Sequence, residues 1–210
     1  MIFLSDNLVF PDVHHADQHG VIAVGGDLSI ERLKLAYRSG IFPWYSEGEP
    51  IFWYSPDPRM VLYPEDLRVS KSMRQLMNSK KYRVTFNMAF EAVITNCKTI
   101  DRSSQGEYST WITDEMKEAY LELHLFGLAK SVEIWEGDVL IGGLYGVEVG
   151  NVFCGESMFS KKSNASKLAL ISLIRQKKYK LIDCQVYNSH LAKLGAKEID
   201  RDAFLAFLRE

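Results

Sequence analysis

The 210-residue sequence has little cysteine, little proline and no long apolar run. Its three cysteines, Cys97, Cys154 and Cys184, lie far apart and form no CxxC pair. This spacing excludes a disulfide framework and a zinc knuckle, and it fits a reducing compartment. With only 6 prolines, 25% charged and 47% hydrophobic residues, the chain is neither disordered nor of low complexity.

The N-terminus also lacks the features of a signal peptide. It has no basic start and no apolar core, because Asp6, Asp12 and Asp17 interrupt it early. The longest apolar helical stretch, Leu168–Ile174, is far shorter than the roughly 20 residues that a membrane span requires. We therefore expect a cytoplasmic protein, built as one large domain or as one domain with a small partner.

A net charge of −2 hides a segregation of charge along the chain. Residues 68–83 hold six basic residues and residues 161–180 hold seven, and neither range contains an acidic residue. The other 12 basic residues share the rest of the chain with all 27 acidic residues. A basic patch on an acidic body is typical of a protein that docks a polyanion such as a nucleic acid, although solvated helix faces would give the same pattern.

Hydrophobic periodicity and capping residues predict an α+β chain with helices on a mixed sheet, the element order of acetyltransferase-like folds. Asp27 or Ser29 is expected to cap the first helix and Thr113 a later one. The helices are predicted at residues 30–38, 70–79, 88–97, 113–126, 164–177, 190–194 and 202–208. The strands are predicted at residues 82–87, 129–135, 139–147, 151–157 and 179–186.

The segment Ile41–Leu62 is predicted to be irregular. It holds four of the six prolines among six aromatic residues, and proline blocks a regular helix. Trp44 and Trp53 in this segment, and Trp111 further on, have two interpretations. They form a small aromatic core, or they form a platform on which a nucleic-acid base stacks.

Carboxylates interrupt two otherwise apolar strands. Glu156 lies within Phe153–Phe159, while Asp183 and Gln185 are two residues apart in Leu181–Val186 and so share one strand face. A buried carboxylate must be paired or must face a solvated cleft. The pattern indicates either one cavity lined by both strands or a structural salt bridge. The sequence has no GxSxG, HExxH or Walker motif, and we attribute the cluster HHADQH at residues 14–19 to chance rather than to a metal site.

Several motifs in order along the chain carry a family resemblance. They are VGGDLS (residues 24–29), GIFPWYSEGEPIFWYSPDPRMVL (40–62), TWIT (110–113), GGLYGV (142–147), FCGESMFS (153–160), NASK (164–167), LIDCQV (181–186) and LGAKEIDRDAF (194–204). Together they resemble leucyl/phenylalanyl-tRNA–protein transferases. That family moves Leu or Phe, sometimes Met, from aminoacyl-tRNA to an N-terminal Arg or Lys, which marks the acceptor protein for bacterial N-degron proteolysis.

The resemblance implies a small N-terminal domain (residues 1–63) and an acetyltransferase-like, GNAT-like domain (residues 64–210). It implies Asp183 and Gln185 as the catalytic pair. It further implies that the donor's 3′ end and aminoacyl group are bound by Trp44, Trp111, Leu144, Phe153, Gly155, Glu156, Met158 and Ile182. An aminoacyl ester is already activated, so the reaction demands no cofactor and no metal.

The basic tracts suit the phosphates of the tRNA partner. The residues expected there are Arg68, Lys71, Arg74, Lys80, Lys81, Arg83, Lys161 and Lys162. The sequence departs from the family at three places. Leu144 stands where a methionine is expected, a C-terminal extension after Glu210 is absent, and the loop Lys98–Ser109 is longer than in some relatives. The alternatives are a non-enzymatic RNA-binding module, which would not need the polar set at residues 156, 183 and 185, and a coenzyme A acetyltransferase, for which the pyrophosphate loop is missing.

Overall fold

The computed structural model describes residues 2–100 and 111–209, and it confirms the predicted α+β class. The helices in these ranges are α1 (Ile30–Arg38), α2 (Lys71–Asn78), α3 (Phe90–Thr99), α4 (Asp114–Leu125), α5 (Ala165–Arg175), α6 (Ser189–Lys193) and α7 (Arg201–Leu208). Two short 3-10 helices cover Val13–His15 and Pro64–Asp66. All seven predicted helices are present, with ends within two residues of the predicted ones.

Local capping explains where helices begin. The Ser29 side chain accepts the backbone N–H of Arg32 at the start of α1, and that of Thr113 accepts the N–H of Met116 at the start of α4. Of the two candidate caps for α1, the structure therefore uses Ser29, while Asp27 accepts the N–H of Ser29 itself. Such caps satisfy donors that have no partner inside the helix.

The strands of the described residues form two sheets. They are β1 (Phe3–Leu4), β2 (Val21–Gly25), β3 (Phe42–Pro43), β4 (Phe52–Tyr54), β5 (Arg59–Leu62), β6 (Arg83–Phe86), β7 (Ala129–Glu136), β8 (Val139–Val149), β9 (Val152–Ser160), β10 (Leu181–Gln185) and β11 (Lys197–Ile199). The smaller sheet has the order β1-β2-β4-β3 and the larger β11-β5-β10-β9-β8-β7-β6. The larger sheet is mixed, because β10 runs parallel to β9 and antiparallel to β5.

The prediction that Ile41–Leu62 is irregular was wrong for the nine residues that form β3, β4 and β5, whereas the exclusion of a helix from this segment is confirmed. These strands have only two to four residues, too few to show an alternating pattern. The one proline within them, Pro43, lies in the edge strand β3, where a missing N–H is tolerated. The predicted division at residue 63 stays a prediction, and β5, which precedes it, belongs to the larger sheet.

Apolar residues pack on both faces of the larger sheet. Helices α3 and α4 cover one face through residues such as Val93 and Tyr120, and α5 covers the other through Ala169 and Ile171. Gly142 of β8 permits the close approach of α5, because a Cβ at this position would lie 2.5 Å from the Cβ of Ala165.

Candidate active site

A cavity of about 780 Å³ opens at the carboxyl end of β10, between β3 of the smaller sheet and β8, β9 and α6. All ten residues that the sequence assigned to catalysis or donor binding line it. They are Trp44, Trp111, Leu144, Phe153, Gly155, Glu156, Met158, Ile182, Asp183 and Gln185. The structure thus brings together residues from five separate parts of the chain.

One part of the cavity is an apolar recess. Leu144, Phe153 and Ile182 are almost fully buried there. Leu144 lies opposite Met158 on neighbouring strands, and Ile182 lies opposite Phe153. This recess can accept an apolar side chain, and the packed walls limit its shape.

The tryptophans divide between the two interpretations. Trp53 is fully buried, donates its indole N–H to the carbonyl of Gly25 and packs edge-on against Phe10, so it belongs to the core. Trp44 is 41% exposed and lines the cavity, as does the half-buried Trp111. An aromatic face that is open to a cavity can stack on a planar ligand.

Glu156 on β9 lies within a chain of hydrogen bonds that links Gln185 to two tyrosines. Its Oε1 accepts from Gln185 Nε2 at 2.9 Å and its Oε2 from the Tyr120 hydroxyl at 3.0 Å. Tyr120 in turn bonds to the hydroxyl of Tyr37 from α1. Burial raises the pKa of Glu156 to about 7, although the two tyrosine hydroxyls oppose this shift. A carboxyl group with such a pKa can exchange a proton near neutral pH.

Asp183 is fully buried and forms an ion pair with Arg59 of β5. Arg59 Nε lies 2.8 Å from Asp183 Oδ1 and its second terminal nitrogen 2.7 Å from Oδ2. The guanidinium also donates to the carbonyl of Gly40 and lies over the rings of Phe42 and Phe204. The sequence pattern indicated either a structural salt bridge or a lined cavity. Both are present, because Asp183 pairs with Arg59 and also lines the cavity.

The backbone at Gln185 departs from a regular strand. The register of β10 against β5 shifts between Asp183 and Gln185, and Gln185 has a φ of 63°. Asp183 Oδ1 accepts the backbone N–H of Gln185 at 2.9 Å and so holds this conformation. The simple alternation predicted here was wrong, because Cys184 and Val186 line the cavity together with Gln185. Strained backbone of this kind clusters at functional sites.

Two acidic residues line the cavity among those that the structure describes, Glu156 and Asp183. Arg59 already compensates the charge of Asp183, whereas Glu156 has only neutral hydrogen-bond donors. Glu156 is thus the carboxylate that can attract a cation or accept a proton from a molecule in the cavity.

Sequence reasoning missed Arg59, Tyr37 and Tyr120. One signal for Arg59 was available, since Arg59 heads the apolar run Met60–Leu62 just as Glu156 and Asp183 interrupt apolar strands. Its partner is 124 residues away in sequence, so the pairing itself could not be read. Thr110 of the TWIT motif and residues 101–109 of the predicted loop lie outside the described residues.

The eight predicted phosphate-binding residues are exposed, and none lines the cavity. Three of them contact acidic residues at the β7–β8 hairpin: Lys81 and Lys162 pair with Glu136, and Arg83 lies 4.0 Å from Asp138. Their role in binding phosphates stays a prediction.

No group of three or more His, Cys, Asp or Glu side chains within the described ranges has the arrangement of a metal site. His14 of the HHADQH cluster contacts Asp12 and Asp202. Across the same ranges, no helix is both long and apolar enough to cross a membrane.

Comparison with known proteins identifies two family profiles. The profile of the leucyl/phenylalanyl-tRNA protein transferase matches residues 61–209, and that of the N-terminal domain of the same enzyme matches residues 26–57. A leucyl/phenylalanyl-tRNA–protein transferase from Flavobacterium johnsoniae is 58% identical over 100% of this chain and 99% of its own. One from Pectobacterium carotovorum is 52% identical over 98% of this chain and 88% of its own.

Solved structures show likeness in the fold alone. A crystal structure of FemX has a TM-score of 0.50 at 9% identity and covers 81% of this chain and 66% of its own. A GCN5-related N-acetyltransferase from Kribbella flavida has a TM-score of 0.38 at 12% identity, over 79% of this chain and 59% of its own. The predicted α+β class with a mixed sheet is confirmed, and FemX shares this fold.

The profile match to most of the chain and the full-length relatives above 50% identity agree with the ten motif residues gathered in one cavity. The chain therefore belongs to the leucyl/phenylalanyl-tRNA–protein transferase family, and it is an aminoacyltransferase that acts on aminoacyl-tRNA and protein substrates.

Proposed function

We propose that the enzyme moves Leu, Phe or Met from aminoacyl-tRNA to the α-amino group of proteins that begin with Arg or Lys, and that the product is a bacterial N-degron. The observation that carries this proposal is the cavity. It combines an apolar recess, two tryptophans in its lining and a carboxylate whose hydrogen-bond donors are neutral. These three features match an apolar aminoacyl group, a terminal adenine and a cationic acceptor.

The donor occupies the recess and the tryptophan faces. The aminoacyl side chain lies against Leu144, Phe153 and Ile182, and the terminal base stacks on Trp44 and Trp111, since aromatic stacking is the usual way to hold an unpaired base. An apolar recess distinguishes one methylene by only about 1–3 kcal/mol. Leu, Phe and Met are therefore all used, with graded efficiency.

The acceptor amine approaches Glu156 and Gln185. Gln185 donates an amide N–H to Glu156, which leaves its amide oxygen to accept from the amine. The negative charge of Glu156 attracts the cationic Arg or Lys. Asp183 acts one step away as a positioning residue, because it holds the backbone of Gln185 and is itself held by Arg59.

The reaction conserves protons. The neutral amine, whose pKa is about 7.7–8.0 in free chains, attacks the ester carbonyl carbon. The bond between that carbon and the 3′ oxygen of the tRNA then breaks, the nitrogen loses a proton and the 3′ oxygen gains one. Glu156, with its pKa raised to about 7 by burial, can take the proton from the nitrogen and pass a proton to the 3′ oxygen.

We place this reaction in the cytoplasm. Among the described residues, Cys154 and Cys184 form no disulfide, which fits a reducing compartment.

Incubation with radiolabelled Leu-tRNA and an Arg-starting peptide tests the proposal. Label is expected in the peptide, and neither an N-acetylated peptide nor an Ala-starting peptide should receive it. Glu156→Gln should abolish most transfer. The matched control is Glu148→Gln, because Glu148 pairs with Lys178 and does not line the cavity. Equal labelling of the Arg-starting and Ala-starting peptides would contradict the proposed acceptor specificity.

A further inference from the structure

One wall of the cavity is basic. Helix α6 places His190 and Lys193 in the lining, next to Ser189 and Asn188. Lys167 follows Ser166, a residue of the lining in the first turn of α5, and its charge, like that of Lys193, disfavours a proton on His190. Burial of His190 is the larger cause, and together these effects lower the pKa of His190. The neutral imidazole ring can donate one N–H.

Some lysines of the described residues pair with acidic side chains, and those of this wall do not. Lys81, Lys162, Lys178 and Lys197 each form an ion pair with an acidic side chain. Within residues 2–100 and 111–209, neither Lys167 nor Lys193 forms one. Clustered cations in or beside the wall of a cavity, without counter-charges, favour an anionic ligand.

The donor carries such an anion. The terminal base is proposed to stack on Trp44 and Trp111, and the ester to lie near Gln185. The ribose that joins them then directs its 5′ phosphate towards the basic wall of the cavity. A lysine ammonium binds a phosphate as a compact point charge, and a neutral imidazole can add one hydrogen bond. The exposed tracts at residues 68–83 lie outside the cavity and would hold other parts of the tRNA.

We propose that Lys167, His190 and Lys193 form a subsite for the phosphodiester on the 5′ side of the terminal nucleotide of the donor. This inference rests on the proposed function, and it assigns to α6 and the first turn of α5 the task of placing the donor ester. The subsite acts on binding of the donor, and therefore on KM, rather than on the chemical step.

Two small donors separate this subsite from the rest of the tRNA: 3′-O-phenylalanyl-adenosine and the same compound with a 5′ phosphate. In the wild-type enzyme the phosphate should lower KM. Lys193→Gln or Lys167→Gln should raise KM for the phosphorylated donor about tenfold, the scale of one charge-assisted hydrogen bond, and should leave KM for the unphosphorylated donor unchanged. Lys34→Gln on α1, outside the cavity lining, is the matched control and should change neither value.

The outcomes separate the subsite from the proposed function. A wild-type enzyme that uses both small donors with the same KM overturns the subsite while transfer stands. So does a Lys193→Gln enzyme whose KM rises equally for both donors, because the loss would not depend on phosphate. A wild-type enzyme that transfers from neither small donor nor from Leu-tRNA refutes the proposed function instead.

Discussion

Replacing Asp183 by Asn tests the buried ion pair beside the cavity. The change keeps the size of the side chain but leaves the Arg59 guanidinium buried without its counter-charge. Removing one partner of such a pair costs about 3–5 kcal/mol of unfolding free energy. At about 2–4 °C per kcal/mol for a protein of this size, the thermal midpoint should fall by roughly 6–20 °C.

Transfer should fall as well. Asp183 Oδ1 accepts the backbone N–H of Gln185, and Asn offers a weaker acceptor at a residue held at positive φ. We expect single-turnover transfer at a temperature where the variant is folded to drop by at least about 100-fold, the scale of a lost orienting or proton-accepting group. Affinity for aminoacyl-tRNA should stay near normal, because the tryptophans and the recess are unchanged.

Arg59→Met separates positioning from direct action. If Asp183 positions Gln185, this variant also loses stability and transfer, since it removes the group that fixes the carboxylate. If Asp183 itself binds the acceptor's cation, freeing its charge should preserve or raise transfer. An Asp183→Asn enzyme with the wild-type thermal midpoint and the wild-type transfer rate would refute both the energetic and the functional reasoning.

Three further predictions concern the pH dependence, the recess and the basic tracts. Below pH 7, a plot of the logarithm of kcat/KM against pH should have a slope near two in the wild type, because both Glu156, with its pKa of about 7, and the acceptor amine must lose a proton. Glu156→Gln should show a slope near one. Equal slopes for the two enzymes would contradict the role of Glu156. Val-tRNA and Ile-tRNA should be poor donors, since branching at Cβ clashes with Leu144 and its neighbours, and a Val-tRNA rate equal to that of Leu-tRNA would show that the recess is misassigned. Reversing the charges of Lys80 and Lys81 should raise KM for aminoacyl-tRNA and reduce its salt dependence with little change in kcat, whereas an unchanged KM would leave this tract as ordinary solvated surface.

Burial of Glu156 also links stability to pH. Its pKa is raised from 4.5 in the unfolded chain to about 7 in the folded protein, so the folded state holds this proton more tightly. The stabilisation is fully present below pH 4.5 and is lost as the pH rises through about 7. Glu156→Gln, which is neutral at every pH, should lose this part of the pH dependence in denaturant titrations.

Features set by neighbouring residues were predictable. The starts of α1 and α4 follow from Ser29 and Thr113, whose side chains bond to amides three residues later. Most of the predicted cavity residues came from the family resemblance of the motifs, and a few polar or aromatic ones were also unusual in their own short context. Glu156 in an apolar strand is an example.

Features set by distant or irregular backbone were not predictable. The pairing of Arg59 with Asp183 joins residues 124 positions apart. The left-handed φ at Gln185 leaves no trace in the sequence, since glutamine is not a residue that favours it. Strands β3 and β4 have two and three residues, and pairing with neighbours rather than any pattern of their own makes them strands.

Strand β5 determines whether the polypeptide can be divided. The two family profiles meet between residues 57 and 61, which invites expression of the C-terminal part alone. A fragment that starts at residue 64 would lack β5, the strand that joins β10 to β11. It would also lack Arg59, so Asp183 would be buried without a cation. A cut after residue 63 therefore divides the protein in the wrong place, because the segment just before it completes both the sheet and the charge balance beneath the cavity.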